Sequence, residues 1–276
     1  MSTASATDRL ARTADALRAA GCVWPRDEAA LLCAETDDDG ELAALVARRA
    51  AGEPLEVVLG WAQLLGVRIP VRDGVFLPRR RTEPLLLLAL DDVASDRPSV
   101  VVDVGTGTGA LALVVRARRP LAEVHATELD PAAATLARHT LGVEAVHCGH
   151  LLDPLPGSLR GRVDVVLANL PYVPTSALAT LPAEARDHEP RVALDGGADG
   201  LDHHRRLARA VGTWLAPGGR VFAEVSPEQA DACAAVYAAA GLLVDVTIDD
   251  DHGVAVVRAV AQPASTSTST PSDSAS

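Results

Sequence analysis

Aromatic residues are scarce in this chain. Two Phe, two Tyr and three Trp make up 3% of its 276 residues, so Ala, Leu and Val must carry most of any core. At 48% hydrophobic, the sequence has enough apolar surface for one large domain and one small one. No apolar run approaches the roughly 18 residues of a membrane span, so none is expected. The stretch from Met1 to Arg12 has no apolar signal core. Cysteine is sparse and dispersed. Cys22, Cys33, Cys148 and Cys233 form no C-x-x-C pair and read as thiols in a reducing cytosol. Positive charge is in deficit, with 25 basic against 37 acidic residues and a net charge of -12, which argues against a stable grip on nucleic-acid phosphates. The histidines, His203-His204 included, lack partners at metal-ligand spacing, so no metal is expected. Ser158 and Ser226 lack the setting of a nucleophile elbow.

What is present is ordered along the chain. Three amphipathic helical signals come first: Asp8 to Ala20, a second opened by Pro25, and a third capped by Asp37–Asp39 and ended by Gly52. The segment Trp61 to Leu77 alternates, with Arg72-Asp73-Gly74 read as the turn of a β-hairpin before Val75-Phe76-Leu77. From Ser99 on, strands alternate with helices. The strands are expected at Val100 to Val104, Ala122 to Thr127, Glu144 to Cys148, Val163 to Ala168 and Arg220 to Val225. The helices include Pro131 to Leu141, Asp202 to Leu215 and Pro227 to Ala240. This pattern predicts an α/β fold, a doubly wound, mostly parallel sheet of seven strands covered on both faces. The last two strands, Val244 to Ile248 and Val254 to Val260, are too close for a crossover and predict an antiparallel hairpin. The expected division is a helical bundle over 1–60, a hairpin linker over 61–77, a catalytic domain over 78–261 and a disordered Ser/Thr-rich tail over 262–276.

The loop Asp103-Val104-Gly105-Thr106-Gly107-Thr108-Gly109 leaves the first sheet strand and opens a helix. Glycines there let the backbone turn and approach a ligand. The spacing is GxGxG preceded by an acid, whereas dinucleotide loops use GxGxxG and avoid negative charge near a pyrophosphate. S-adenosylmethionine has no phosphate and carries a sulfonium, so it suits this loop better. Asp103 is placed to meet an ammonium or a ribose, and Glu128, at the end of the next strand, to accept ribose hydroxyls. The antiparallel ending of the sheet also favours a methyltransferase.

Asn169-Leu170-Pro171-Tyr172 leaves the fourth strand on the same sheet edge. It resembles the Asn-Pro-Pro-Tyr signature of enzymes that methylate amide or exocyclic amino nitrogens. Such a nitrogen is a poor nucleophile because its lone pair is delocalised. Two acceptors, Asn169 Oδ1 and the Leu170 carbonyl, can hold its N–H groups and turn the lone pair toward a methyl, with Tyr172 stacked on the planar group.

Several further stretches carry a specific resemblance: Gly52-Glu53-Pro54-Leu55-Glu56, Gly74 to Arg79 with Thr82-Glu83, Glu189-Pro190, Gly196-Gly197, Asp199-Gly200-Leu201, Pro217-Gly218-Gly219, Glu224 and Gln229. From about Gly52 to Arg258 the chain resembles the HemK/PrmC family, glutamine methyltransferases of peptide-chain release factors. The resemblance implies S-adenosylmethionine as cofactor, held by Asp103, Gly105, Thr106, Gly107, Gly109, Glu128, His150, Leu151 and Asn169. It implies transfer to the side-chain amide nitrogen of a protein glutamine by Asn169, Leu170, Pro171 and Tyr172, in a cytoplasmic enzyme acting on a release factor. Three departures from the pattern point to a side branch. Leu170 replaces a proline, His150 stands where an acid is usual, and Arg79 to Thr82 lacks the usual Pro-acid pair. Three alternatives remain open: an N6-adenine RNA methyltransferase, a small-molecule methyltransferase, and an inactive binding module that keeps only the fold.

Overall fold

The computed structural model describes residues 3–262. It opens with α1 (Thr3–Ala19), α2 (Pro25–Glu35), α3 (Asp39–Ala50) and the short α4 (Leu55–Leu59). Pro25 sits at the start of α2, where its missing N–H costs nothing. The Asp38 carboxylate accepts from the Glu41 N–H at 2.8 Å and caps α3. These helices share a core of their own around Leu17, Leu32, Leu42 and Val58. Arg49 Nε closes it, 2.7 Å from the nearly buried Glu28 carboxylate.

The hairpin that follows is not where the sequence pattern puts it. It consists of β1 (Trp61–Leu64) and β2 (Val67–Pro70), with Leu65-Gly66 as a two-residue turn. Both turn residues have positive φ, 45° and 79°, the geometry that matches strand twist. Leucine is not a usual turn residue there, which hides the turn from a composition reading. Glu83 Oε1 accepts from the Leu65 N–H at 3.0 Å and holds the strained residue. Val75-Phe76-Leu77 does not pair as a strand; Val75 and Phe76 line the cleft, and Leu77 packs with Ala62 and Val71. Leu64 and Ile69 of the hairpin are fully buried against the helices that cover the sheet.

The main body contains α5 (Glu83–Asp92), β3 (Val100–Val104), α6 (Ala110–Arg118), β4 (Glu123–Glu128), α7 (Pro131–Leu141), β5 (Val146–Cys148) and β6 (Val163–Ala168). It continues through α8 (Ala183–His188), α9 (Asp202–Val211), β7 (Leu215–Val225), α10 (Ala230–Ala239), β8 (Leu243–Asp249) and β9 (Val254–Val260). The seven-stranded sheet has the order β5-β4-β3-β6-β7-β9-β8. The first five of these strands pair in parallel, and β9 runs antiparallel between β7 and β8. The winding direction reverses between β3 and β6, the position where open α/β sheets bind ligands.

Strands buried on both faces read as continuous apolar runs, and side-chain alternation sorts them. Val100, Val102 and Val104 join Val166, Val221 and Val257 under α9 and α10. Val101, Val165, Leu167 and Phe222 face α5, α6 and the hairpin. The helix expected to reach Leu215 stops at Val211. Gly212 ends it, Trp214 turns into the core and Leu215 already pairs with Val163. The Pro217-Gly218-Gly219 segment is a bulged part of β7 rather than a separate turn. The Ser/Thr-rich tail beyond Gln262 lies outside the described residues. Phe222 is fully buried at the sheet centre. Phe222→Ala is expected to lower unfolding free energy by about 3–5 kcal/mol, measured by denaturant titration.

Candidate active site

The ends of β3, β4, β5 and β6 open onto one cleft. Asp103 begins it. It is the single acid in the valine run of β3 and is only 1% exposed. Its Oδ2 accepts from Thr106 Oγ1 at 2.5 Å and from the Ala112 N–H at 3.1 Å, so it ties the glycine loop to α6. Burial pushes its pKa up to about 6, against the pull of those two hydrogen bonds. Glu128 holds the loop from the other side. Its Oε2 accepts from the Gly107 N–H at 2.8 Å and its Oε1 from the Asp130 N–H at 2.9 Å. Each oxygen keeps a further lone pair for a hydroxyl. Burial raises this pKa as well.

Leu170 explains why the first glycine is needed. Its side chain is 3% exposed, and a Cβ on Gly105 would lie 2.9 Å from Leu170 Cδ2. The bulk that Leu brings in place of proline is absorbed by the missing side chain of Gly105. Gly109, expected among the ligand contacts, is instead behind the loop. It starts α6 at φ 85°, and a Cβ there would press on Leu141 of α7 at 3.1 Å. Its smallness serves helix packing rather than the cleft wall. The other expected residues, Thr106, His150, Leu151, Pro171 and Tyr172 among them, do line the cleft.

Asn169 Nδ2 donates to Thr82 Oγ1 at 3.1 Å, which leaves Oδ1 as the end available to a substrate N–H. The Tyr172 ring is half-buried, with the Arg81 guanidinium 5.8 Å from its centroid. Burial and the Glu224 carboxylate push the phenol up to about 12, so it stays neutral. The glycine-rich stretch after α8 lies directly on this loop. Gly196 N–H donates to the Val173 carbonyl at 2.8 Å, and Gln229 Nε2 donates to the Tyr172 and Asp199 carbonyls, each at 2.9 Å. At Gly200 a Cβ would lie 2.1 Å from the Tyr172 carbonyl oxygen, so no other residue fits. An ion pair between Arg79 and the buried Glu189 carboxylate joins the segment before α5 to this stretch.

Among the cleft residues without a site role in the sequence reading are Thr82 and His203, whose Nε2 lies 3.3 Å from the Asp195 carbonyl; Arg81, which the sequence leaves open between a solvated face and a pocket contact, lines the cleft as well. Thr82 carries a legible signal, since a Thr-Glu-Pro run marks a helix start.

The donor set suits a cationic nucleoside. Asp103, Glu128 and Asp130 line the cleft, and Arg81 is the one arginine among its lining residues. His150 Nε2 and Thr127 Oγ1 are buried without a hydrogen-bond partner among the described residues. An orphaned imidazole nitrogen in a cleft wall is a ready partner for the edge of a base.

Residues 72–185 match the methyltransferase small domain family. A release factor glutamine methyltransferase of Geobacter sulfurreducens is 36% identical over 222 residues, 78% of this chain and 76% of that protein. Another, from Mycolicibacterium smegmatis, is 36% identical over 254 residues, 85% of this chain and 89% of that one. The chain belongs to the release factor glutamine methyltransferase family. A methyltransferase structure from Pyrococcus furiosus superposes with a TM-score of 0.53 at 15% identity, covering 82% of this chain and all of that one, which speaks for the fold. S-adenosylmethionine is the enzyme's methyl donor. When bound, it supplies a methyl group made electrophilic by a sulfonium. Among the described residues, no helix is long and apolar enough to cross a membrane.

Asp103 gives the methyltransferase a measurable pH response. Its folded pKa lies above the usual carboxylate value, so ionising it costs folding stability as pH rises from about 4 to about 6. A cationic ligand favours the ionised form, so binding releases protons in that window. S-adenosylmethionine affinity is expected to fall as pH drops through about 6. S-adenosylhomocysteine, which lacks the sulfonium charge, is expected to lose less. Calorimetry at several pH values checks this, and equal losses for both ligands would contradict it.

Proposed function

We propose that this enzyme methylates the side-chain amide nitrogen of a glutamine in a peptide-chain release factor, within its Gly-Gly-Gln loop. The observation that carries the reading is the orientation of Asn169. With Nδ2 bound to Thr82, Oδ1 is turned to accept an N–H at the end of β6, beside the glycine loop of β3. A primary amide has two N–H groups. Asn169 Oδ1 takes one and the Leu170 carbonyl takes the other, which fixes the amide plane and aims the nitrogen lone pair at the incoming methyl. Holding the nucleophile in line and stabilising the charge that develops on its N–H groups is enough for this transfer without a strong base. Tyr172 supplies the face on which the amide lies. Glu128, Asp103 and His150 hold the nucleoside side of the cleft, with the Gly105–Gly107 backbone close beside it. The reading adopts a helical bundle at 1–60 joined through 61–77 to the methyltransferase domain at 78–261, and places the enzyme in the cytoplasm. Relatives named for release factor glutamine methylation support the choice of substrate. The excess of acidic residues weighs against an RNA substrate.

The test is transfer from isotopically labelled S-adenosylmethionine to the purified release factors of the source organism, with the modified residue mapped by mass spectrometry. Label on the glutamine of the Gly-Gly-Gln loop is expected. Label on RNA or on another residue would overturn the assignment. Asn169→Ala is expected to cut turnover by about a hundredfold, the scale of losing one preorganised polar group. S-adenosylmethionine affinity, read by calorimetry, should stay near the unmutated value.

A further inference from the structure

Asn169 works only one way round. The two ends of an amide are almost the same shape but opposite in polarity, so something must distinguish them. Thr82 alone cannot. A hydroxyl both donates and accepts, and it would accommodate Asn169 with either end toward it. Thr82 is 1% exposed, which removes solvent as arbiter.

The third party is Glu224. It lies on β7, next to the residue that pairs with Ala168 at the end of β6. Its carboxylate faces the hydroxyls of Thr82 and Tyr172 and the guanidinium of Arg81. An ionised carboxylate can only accept. Ionised, it would take the Thr82 O–H proton and leave Thr82 only lone pairs to offer. Those lone pairs admit Nδ2 of Asn169 and reject Oδ1.

We propose that Glu224 is the positioning residue that sets the polarity of Asn169, acting through Thr82, and that it orients Tyr172 as well. The proposal rests on the reading of Asn169 as the amide holder. A purely structural role accounts poorly for this acid. Glu224 is 1% exposed in a strand whose neighbours are apolar, and its Oε2 has no hydrogen-bond partner among the described residues. Burying a carboxylate this way costs stability, and an apolar residue would pack as well.

The ionised form is the one that works. Burial pushes the Glu224 pKa up to about 6, so the polarity lock forms above that pH and is lost below it. The charged and titratable groups facing it are Arg81, from the segment before α5, and Tyr172, after β6; opposite, β9 contributes Val256. Tyr172 keeps its proton throughout this range. Asp103 titrates in the same region, but through cofactor affinity, so turnover at saturating S-adenosylmethionine separates the two.

Asn169 is the only asparagine of the 276 residues, so selective isotope labelling of asparagine gives one side-chain amide signal pair. That pair should sit at hydrogen-bonded shifts in the wild-type enzyme at neutral pH. It should move toward free-amide shifts in Glu224→Gln and Thr82→Val, and in the wild type as pH falls through about 6. Thr82→Ser, which keeps the hydroxyl, should restore the wild-type pair. In the methyl-transfer assay Glu224→Gln and Thr82→Val should lower kcat by about tenfold or more, with cofactor affinity unchanged. Thr82→Ser should return most of it. Amide shifts in Glu224→Gln that match the wild type would overturn the proposal, as would equal damage from Thr82→Ser and Thr82→Val. If Glu224→Gln fails to fold, the Thr82 pair and the wild-type pH titration still decide. Wild-type enzyme that methylates no release factor would strike the substrate assignment alone, because the amide signals report on Glu224 without turnover.

Discussion

The cleft depends on two neighbouring strand ends coming into contact. β3 and β6 pair directly, and the loops that leave them meet where Gly105 has no side chain and Leu170 fills the gap. In the proposed reaction one loop faces the cofactor and the other the substrate, so their contact would set the distance the methyl must cross. Everything around them maintains that contact. Asp103 and Glu128 hold the glycine loop from two sides, and Gln229 with the Gly196–Gly200 stretch holds the backbone after Leu170. A loop shift of an ångström would separate the reacting atoms, which is why so many fixed contacts gather here.

The anchors are expensive ones. Asp103 sits in an otherwise apolar strand and Glu224 in the apolar end of β7, both are 1% exposed, and burial raises both pKa values to about 6. Neither is what a sheet built only for stability would contain. His204 makes a useful contrast. It is fully buried, kept neutral by desolvation and satisfied on one side by the Tyr172-independent pair with Tyr237 between α9 and α10. That histidine belongs to the packing of two helices, far from the logic of the cleft.

Much of this could be read in the sequence because the signals were local. The valine run of β3, the Asp130-Pro131 start of α7 and the close spacing of the last two strands each specify an element without help from the rest of the chain. The hairpin turn was misplaced because Leu65 adopts positive φ under tertiary restraint from Glu83, which no local pattern reports. α9 was extended too far because Trp214 and Leu215 continue the apolar pattern while the chain has already turned into β7. In the cleft, Asp103, Glu128 and Asn169 stood out by motif. Thr82 and Glu224 entered only as parts of the family resemblance, without a role, because the part proposed for them depends on contacts among residues 82, 169 and 224 that are far apart in the chain. An acid alone in the apolar end of β7 was a local hint, as Asp103 was in β3.

Gly200 has a consequence on the timescale of sequence divergence. A side chain there collides with the Tyr172 carbonyl, and relieving the collision means moving the loop that Tyr172 belongs to. No single substitution at this position leads to a working neighbour, so the position is closed to stepwise drift while the loop keeps its shape. Exposed positions such as Leu243 on β8 meet no such barrier. The chain can therefore accumulate change freely over its outer surface and still carry, at its centre, a few residues that must stay together or be replaced together.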